Sequence, residues 1–304
     1  MKLGNNKTFG HLNISNKNTV KNVIMTFLPI FLFMVIEVIV SLVDTIIVFI
    51  SLLNSDETLK VGENHSTIMT QTLNQPINVA NMALAKFIIA GIVFALMYQK
   101  LIILPSNSNL NIRKHAKSNI ICLRTIFLII SGYLCQTMVS SILSLCRGHF
   151  VKQFAEYDKL SIPITGAGKS INMMICVILL APIAEELLFR GLIQNYAKQY
   201  LSINIAIVFQ ALIFSVYHGN TIQGIYALIF GILLGFICQQ SNSIIPGIIL
   251  HISINASLYL VPASFTIDTT NSIITLIISV VVLVLISLMY RIISRLNKKQ
   301  AISN

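Results

Sequence analysis

Three short polar patches interrupt otherwise apolar stretches in the second half of the chain: Glu185-Glu186-Leu187-Leu188-Phe189-Arg190, Phe214-Ser215-Val216-Tyr217-His218 and His251-Ile252-Ser253-Ile254-Asn255. Carboxylates, imidazoles and a carboxamide are groups that activate water and stabilise a developing oxyanion, so these residue types suit hydrolysis. An ionisable side chain at the centre of a bilayer costs roughly 2.5–3.5 kcal/mol on insertion scales, and a chain that keeps several there usually uses them. Helical spacing divides their work. Glu186 and Arg190 are four residues apart, an acid–base pair on one helical face. Glu185, rotated from Glu186 by about 100 degrees, points elsewhere, so two adjacent acids take two roles. His251 and Asn255, also four apart, share a face and set an imidazole beside an amide. His218 closes an apolar helix ahead of the glycine-bounded break Gly219-Asn220-Thr221-Ile222-Gln223-Gly224.

The elements that must position these groups are membrane helices. Of 304 residues, 55% are hydrophobic and only 10% charged, with a mean hydropathy of +0.81, whereas a soluble domain is about 25% charged. Runs long enough to cross a bilayer, about 20 residues each, are read at Val23 to Leu53, Val79 to Leu104, Asn119 to Cys146, Ile171 to Phe189, Ile203 to Tyr217, Ile225 to Cys238, Ile244 to Leu260 and Ile273 to Tyr290. The expected fold is therefore all-α, a polytopic membrane protein of about eight transmembrane helices, two of them short, with the active site in a cavity of the bundle. The net charge of +11 does not point to nucleic acid, because the basic residues follow the spans instead of forming a patch interleaved with aromatics. Lys2, Lys7, Lys17 and Lys21 precede the first span, Arg113, Lys114 and Lys117 separate the second and third, Lys198 follows the fourth, and Arg291, Arg295, Lys298 and Lys299 follow the last. The positive-inside rule then places both termini in the cytoplasm of a multi-pass cell-membrane protein. The basic loop Arg147 to Lys169 fits that scheme poorly.

Other features are set aside. Thr165-Gly166-Ala167-Gly168-Lys169-Ser170 ends like a phosphate-binding loop, but Pro163 stands where the motif needs its first glycine, so no nucleotide is expected. Ser170 reads as a helix cap. The five cysteines lie in apolar runs and form no C-x-x-C pair, which marks them as small buried hydrophobes. Glu37 and Asp44 share a face of the first span and are expected to pair with Lys86 or Arg124 on neighbouring spans. His11, His65, His115 and His149 lie in or beside polar connections, and Asn54 to Asn78 and Gly148 to Lys169 read as loops. The first run lacks a small-residue cleavage site and reads as a retained anchor. Depth allows the three patches to converge: counted from the turn at Tyr200 to Ser202, Glu185 and His218 fall at similar levels on antiparallel helices, and His251, roughly ten residues beyond the turn near Gln240 to Asn242, reaches a comparable level if the earlier hairpin projects somewhat into the cytoplasm. The short span Ile225 to Cys238 suggests irregular backbone at membrane depth, which is tolerated only against protein or a water-filled cavity.

In this order, E-E-x-x-x-R, F-x-x-x-H and H-x-x-x-N resemble the CAAX-protease and bacteriocin-processing family of intramembrane endopeptidases, which includes the Ras-converting prenyl-protein peptidase. The resemblance covers Ile171 to Pro262 and divides the chain into N-terminal helices and loops (1–170), a peptidase core (171–262) and a C-terminal helix with a basic tail (263–304). It implies that Glu185, assisted by His218, activates the attacking water, that His251 and Asn255 donate to the oxyanion, and that Glu186 with Arg190 holds the helix and its charges. No cofactor is favoured. A catalytic zinc on His218, His251 and Glu185 is the alternative, against which stand the lack of H-E-x-x-H and Asn255 at a ligand's helical position. The implied partners are the lipid bilayer and a peptide or membrane-protein substrate such as a bacteriocin, a pheromone precursor or a CAAX-like lipidated protein. An Ile-, Asn- and Lys-rich chain without Trp suits a low-GC bacterium and hence the peptide roles. The rival reading is a non-catalytic immunity or scaffold protein of the same family.

Overall fold

The structure is a computed structural model that describes residues 19–54, 65–107, 118–165, 170–260, 272–282 and 284. Among the described residues every regular element is helical. In chain order these are α1 (Thr19–Asn54), α2 (His65–Leu73), α3 (Pro76–Tyr98, prolonged by a π turn at Gln99–Ile103), α4 (Ser118–Cys146), α5 (Val151–Thr165), α6 (Ile171–Ala197), α7 (Ile203–Tyr217), α8 (Thr221–Ser241), α9 (Ile245–Leu260) and α10 (Ser272–Val282). α1, α3, α4, α6 and α8 are long and apolar enough to cross a membrane, and α7, α9 and α10 are shorter apolar helices. Together they account for the eight spans read from the sequence and make this a polytopic membrane protein. The outer face of α1 carries exposed Ile24, Phe31, Val38, Leu42 and Ile46, an apolar surface far larger than water tolerates.

α6 is the central helix, since 50% of its most apolar window is buried against 22% for α1. One side of it, with Leu188, Phe189, Leu192 and Ile193, packs with Phe33 of α1 and Phe94 of α3. A second apolar cluster, including Cys135, Val139, Leu234 and Leu250, joins α4, α8 and α9. α7 returns antiparallel to α6 and packs closely on α8, where a Cβ on Gly231 would stand 2.8 Å from that of Ala211. Small residues of this kind let membrane helices approach. α6 and α8 run parallel: Arg190 bonds Gly231, Gln194 bonds Gly235 and Lys198 bonds Gln239, in steps of four on both helices.

Two expectations require correction. The segments read as loops contain α2 and α5, which are too short or too polar to register as apolar runs. α5 is tied down by Arg147, whose guanidinium donates to Asp158 at 2.6 and 3.1 Å and covers the Phe154 ring. That pairing offsets one of the basic charges that sat badly in this segment. The span expected to be short is a regular 21-residue helix, because Asn220 accepts a hydrogen bond from Gln223 N–H and so starts α8 at Thr221, with Gly219 turning the chain at φ 65°. Ser170 does precede α6, without a side-chain capping bond. The basic residues before α1, in 108–117 and after α10, Gly166–Lys169 of the discarded phosphate motif, and the end of the last span lie outside the described residues.

Candidate active site

Irregular backbone lies at the site itself, in α6. This helix alternates α and π segments: Ile171–Ile175, a π stretch at Cys176–Leu180, Ala181–Glu185, a second π stretch at Glu186–Ile193, then Gln194–Ala197. Pro182 has no N–H to return to the preceding turn, and next to it Ala181 N–H reaches back five residues to Cys176 O. Gln194 N–H likewise reaches Phe189 O, while the Asn195 amide donates to Arg190 O and Gly191 O. Wide turns of this kind are rare and collect at functional sites. Glu185 ends the middle α segment and Glu186 opens the second wide turn, so the two carboxylates leave the helix in different directions.

Glu186 is sealed, with 0% of its side chain exposed. Its Oε1 accepts from Arg190 at 2.7 Å and from His251 Nδ1 at 2.9 Å, and Cys238 Sγ lies 3.9 Å from Oε2. Arg190 also donates to Gly231 O at 3.2 Å and lies over the Phe214 ring, 4.6 Å from its centroid. Gly247 of α9 is what lets His251 come so near: a Cβ there would meet Cys238 Sγ and sit 2.9 Å from Glu186 Oε2.

On the other side of the pair stand Glu185 and His251, both largely buried, and the half-buried His218. Because the Glu186 carboxylate accepts on Nδ1, His251 presents Nε2 toward Glu185, 3.7 Å from Oε2. That gap is too long for a direct hydrogen bond. His218 caps the end of α7 with Nδ1 2.7 Å from Phe214 O. A carbonyl only accepts, so Nδ1 carries the proton and Nε2 is left with its lone pair. Phe214 stands edge-on between the imidazoles, its centroid 4.6 Å from His218 and 5.9 Å from His251. Asn255, one turn beyond His251, donates from Nδ2 to Val177 O at 2.9 Å, inside the first wide turn of α6. The expected acid–base pair is thus formed, Glu185 stands apart from it and beside His251, and Asn255 spends one N–H on tying α9 to α6.

Reading the motifs alone passes over Gln194, Gln210, Gly132 and Gly247. Gln194 was legible as the continuation of the Glu186–Arg190 face by four residues. Gly132 admits Ser253 so closely that an added Cβ would be 2.5 Å from Ser253 Cβ, and Ser253 Oγ donates to Ile129 O at 2.6 Å, holding α9 to α4. The glycines show no periodic signal that marks them. Among the described residues no group of three or more His, Cys, Asp or Glu side chains is placed to hold a metal ion.

His251 of α9 lies within 3.7 Å of the carboxylates of both Glu185 and Glu186 of α6, a set of groups on separate apolar helices that suits hydrolysis. Residues 167–257 match the family model described as Rce1-like, type II CAAX prenyl endopeptidase Rce1-like, a segment that contains all three motifs. That match supports an intramembrane endopeptidase at the level of the family. Neither the curated proteins nor the solved structures returned a match.

Proposed function

We propose that this protein hydrolyses a peptide bond of a membrane-associated protein or peptide precursor, with Glu185 activating the attacking water. The observation that carries this reading is the 3.7 Å gap between Glu185 Oε2 and His251 Nε2, with Nδ1 of the same ring held by a fully buried carboxylate. A water in that gap gives one proton to Glu185 while its oxygen attacks the scissile carbonyl. The open Nε2 of His218 is the second acceptor for the water's hydrogens. As the tetrahedral oxyanion forms, the remaining N–H of Asn255 and a proton carried on His251 Nε2 face it; Glu186 balances the charge of that ring. Glu185 then returns its proton to the leaving amine. Arg190 and Glu186 do no chemistry and fix His251. The site works in a multi-pass protein of the cell membrane with both termini in the cytoplasm, on a peptide such as a bacteriocin or pheromone precursor or a lipidated CAAX-like chain.

The test is Glu185→Gln and Glu185→Ala in liposomes, with substrates found by comparing peptides from cells with and without the protein. Loss of about 10²- to 10⁴-fold in cleavage rate is expected for removal of a general base. Unchanged activity or resistance at normal protein levels would instead favour the immunity or scaffold role. Metal content and recovery after chelation decide the zinc alternative: stoichiometric zinc lost together with activity would replace the glutamate mechanism with a metal-assisted one.

A further inference from the structure

The bonds from α6 to α8 have a second consequence, and it rests in part on the hydrolytic reading above. Arg190, Gln194 and Lys198 continue the face of Glu186 toward the α6–α7 turn, a span of about 18 Å from Glu186 to Lys198 at 1.5 Å per residue. They are not evenly satisfied. Gln194 commits its amide nitrogen to Gly235 O, and Gln210 of α7 commits its own to Ile207 O and Gly231 O. Their carbonyl oxygens, and Nε of Arg190, are buried with no hydrogen-bond partner among the described residues. Gln194, Gln210 and Arg190 are 2%, 0% and 1% exposed. All three meet at one turn of α8: a Cβ on Gly235 would be 2.6 Å from Gln210 Nε2 and 2.9 Å from Gln194 Oε1, and Gly231 O receives both Arg190 and Gln210.

An unpaired buried polar atom costs about 1–3 kcal/mol, and two acceptors and one donor together at membrane depth have no lipid or bulk solvent to turn to. Water is the ligand that suits such a place, since it donates and accepts, and it is held where the site is polar and offers two to four partners. We propose that buried water molecules are bound along this face, at Arg190 Nε, Gln194 Oε1 and Gln210 Oε1, and connect the Glu186–His251 pair to the Lys198 end of α6. Each peptide bond cleaved consumes one water, and this file resupplies the site from the side of α6 opposite the apolar α1–α3 contact.

Hydroxyl-radical footprinting tests the file without a substrate, because radiolysis of bound water labels the side chains beside it. Cys238, 2% exposed, lies one turn beyond Gly235 and next to Glu186, whereas Cys135, 6% exposed, lies in the apolar α4–α9 cluster. Cys238 should label several-fold faster than Cys135 in the wild-type protein, and that advantage should fall in Gln194→Leu with Gln210→Leu. Equal, slow labelling of both thiols overturns the proposal. Cys238 labelling that persists in the double variant also overturns it, since the water would then come through the catalytic gap. If the double variant does not fold, Gln194→Met alone is read in the same way. Labelling does not depend on cleavage, so an inactive wild-type protein or an active Glu185→Ala variant would sink the peptidase reading while leaving this result to stand or fall on its own.

Discussion

Glu37–Lys86 and Glu186–Arg190 are acid–base pairs among the apolar helices, and they are built in opposite ways. Glu37 of α1 and Lys86 of α3 meet at 2.9 Å with side chains 54% and 22% exposed, and the ammonium also faces the Phe33 and Phe87 rings. Glu186 and Arg190 meet at 2.7 Å within one helix, both fully buried, with His251, Gly231 O and the Phe214 face completing their shell. The first pair fastens two helices and can adjust its geometry. The second is held in one geometry, because His251, Gly231 O and the Phe214 ring all engage it. Rigidity therefore accompanies the imidazole that the carboxylate orients, and the looser pair serves packing.

The contrast is broken most severely by Arg190→Met, which leaves Glu186 buried beside an imidazole without its cation. Removal of one partner of a buried pair costs about 3–5 kcal/mol, so a marked drop in melting temperature together with loss of cleavage is expected; a stable, active variant would show that the pair positions nothing. Gly247→Ala comes next. Its methyl group meets Cys238 Sγ and Glu186 Oε2, and overpacking costs about 1–3 kcal/mol. The cleavage rate should fall further than the stability loss explains, because α9 carries His251. Glu37→Gln should change stability by about 0–1 kcal/mol, as for exposed pairs, with cleavage intact; an effect matching that of Arg190→Met would erase the distinction drawn here.

The smallest effect is confined to alkaline pH. Burial in the turn after α6 pushes the Lys198 ammonium down from its ordinary 10.5 to about 8. With the folded value below the unfolded one, the unfolded chain binds more protons between pH 8 and 10.5, so stability rises across that window. A melting temperature that climbs there in the wild type and stays flatter in Lys198→Met is the expected result, read by thermal scans in detergent.

Much of the site could be read from the sequence because its information is local. Glu186 with Arg190 is a four-residue spacing, and the structure pairs them; Lys86 was one of two cations, with Arg124, expected to pair with Glu37 or Asp44, and it joins Glu37. The turns expected at Tyr200–Ser202 and Gln240–Asn242 are formed, since α7 begins at Ile203 and α8 ends at Ser241. What could not be read depends on backbone geometry or on contacts distant in sequence. A uniform 3.6-residue period hides the wide turns of α6, and irregularity was expected instead at the start of α8, where the Asn220 cap makes a regular helix. Asp44 was expected to be paired like Glu37, yet its buried Oδ2 has no partner among the described residues. Gly247 and Gly132 are isolated glycines in apolar runs, and only the approach of another helix reveals their purpose.

Each wide turn in α6 accommodates one residue more than an ordinary helical turn while the membrane thickness to be crossed stays the same. When related chains are aligned with this one, single-residue gaps therefore belong inside this buried helix, at Cys176–Leu180 or Glu186–Ile193, and not in the connecting loops where insertions are usually sought. A gap placed in a loop would shift the paired acids out of phase with the histidines, and would make a member of the group look as though it had lost its machinery.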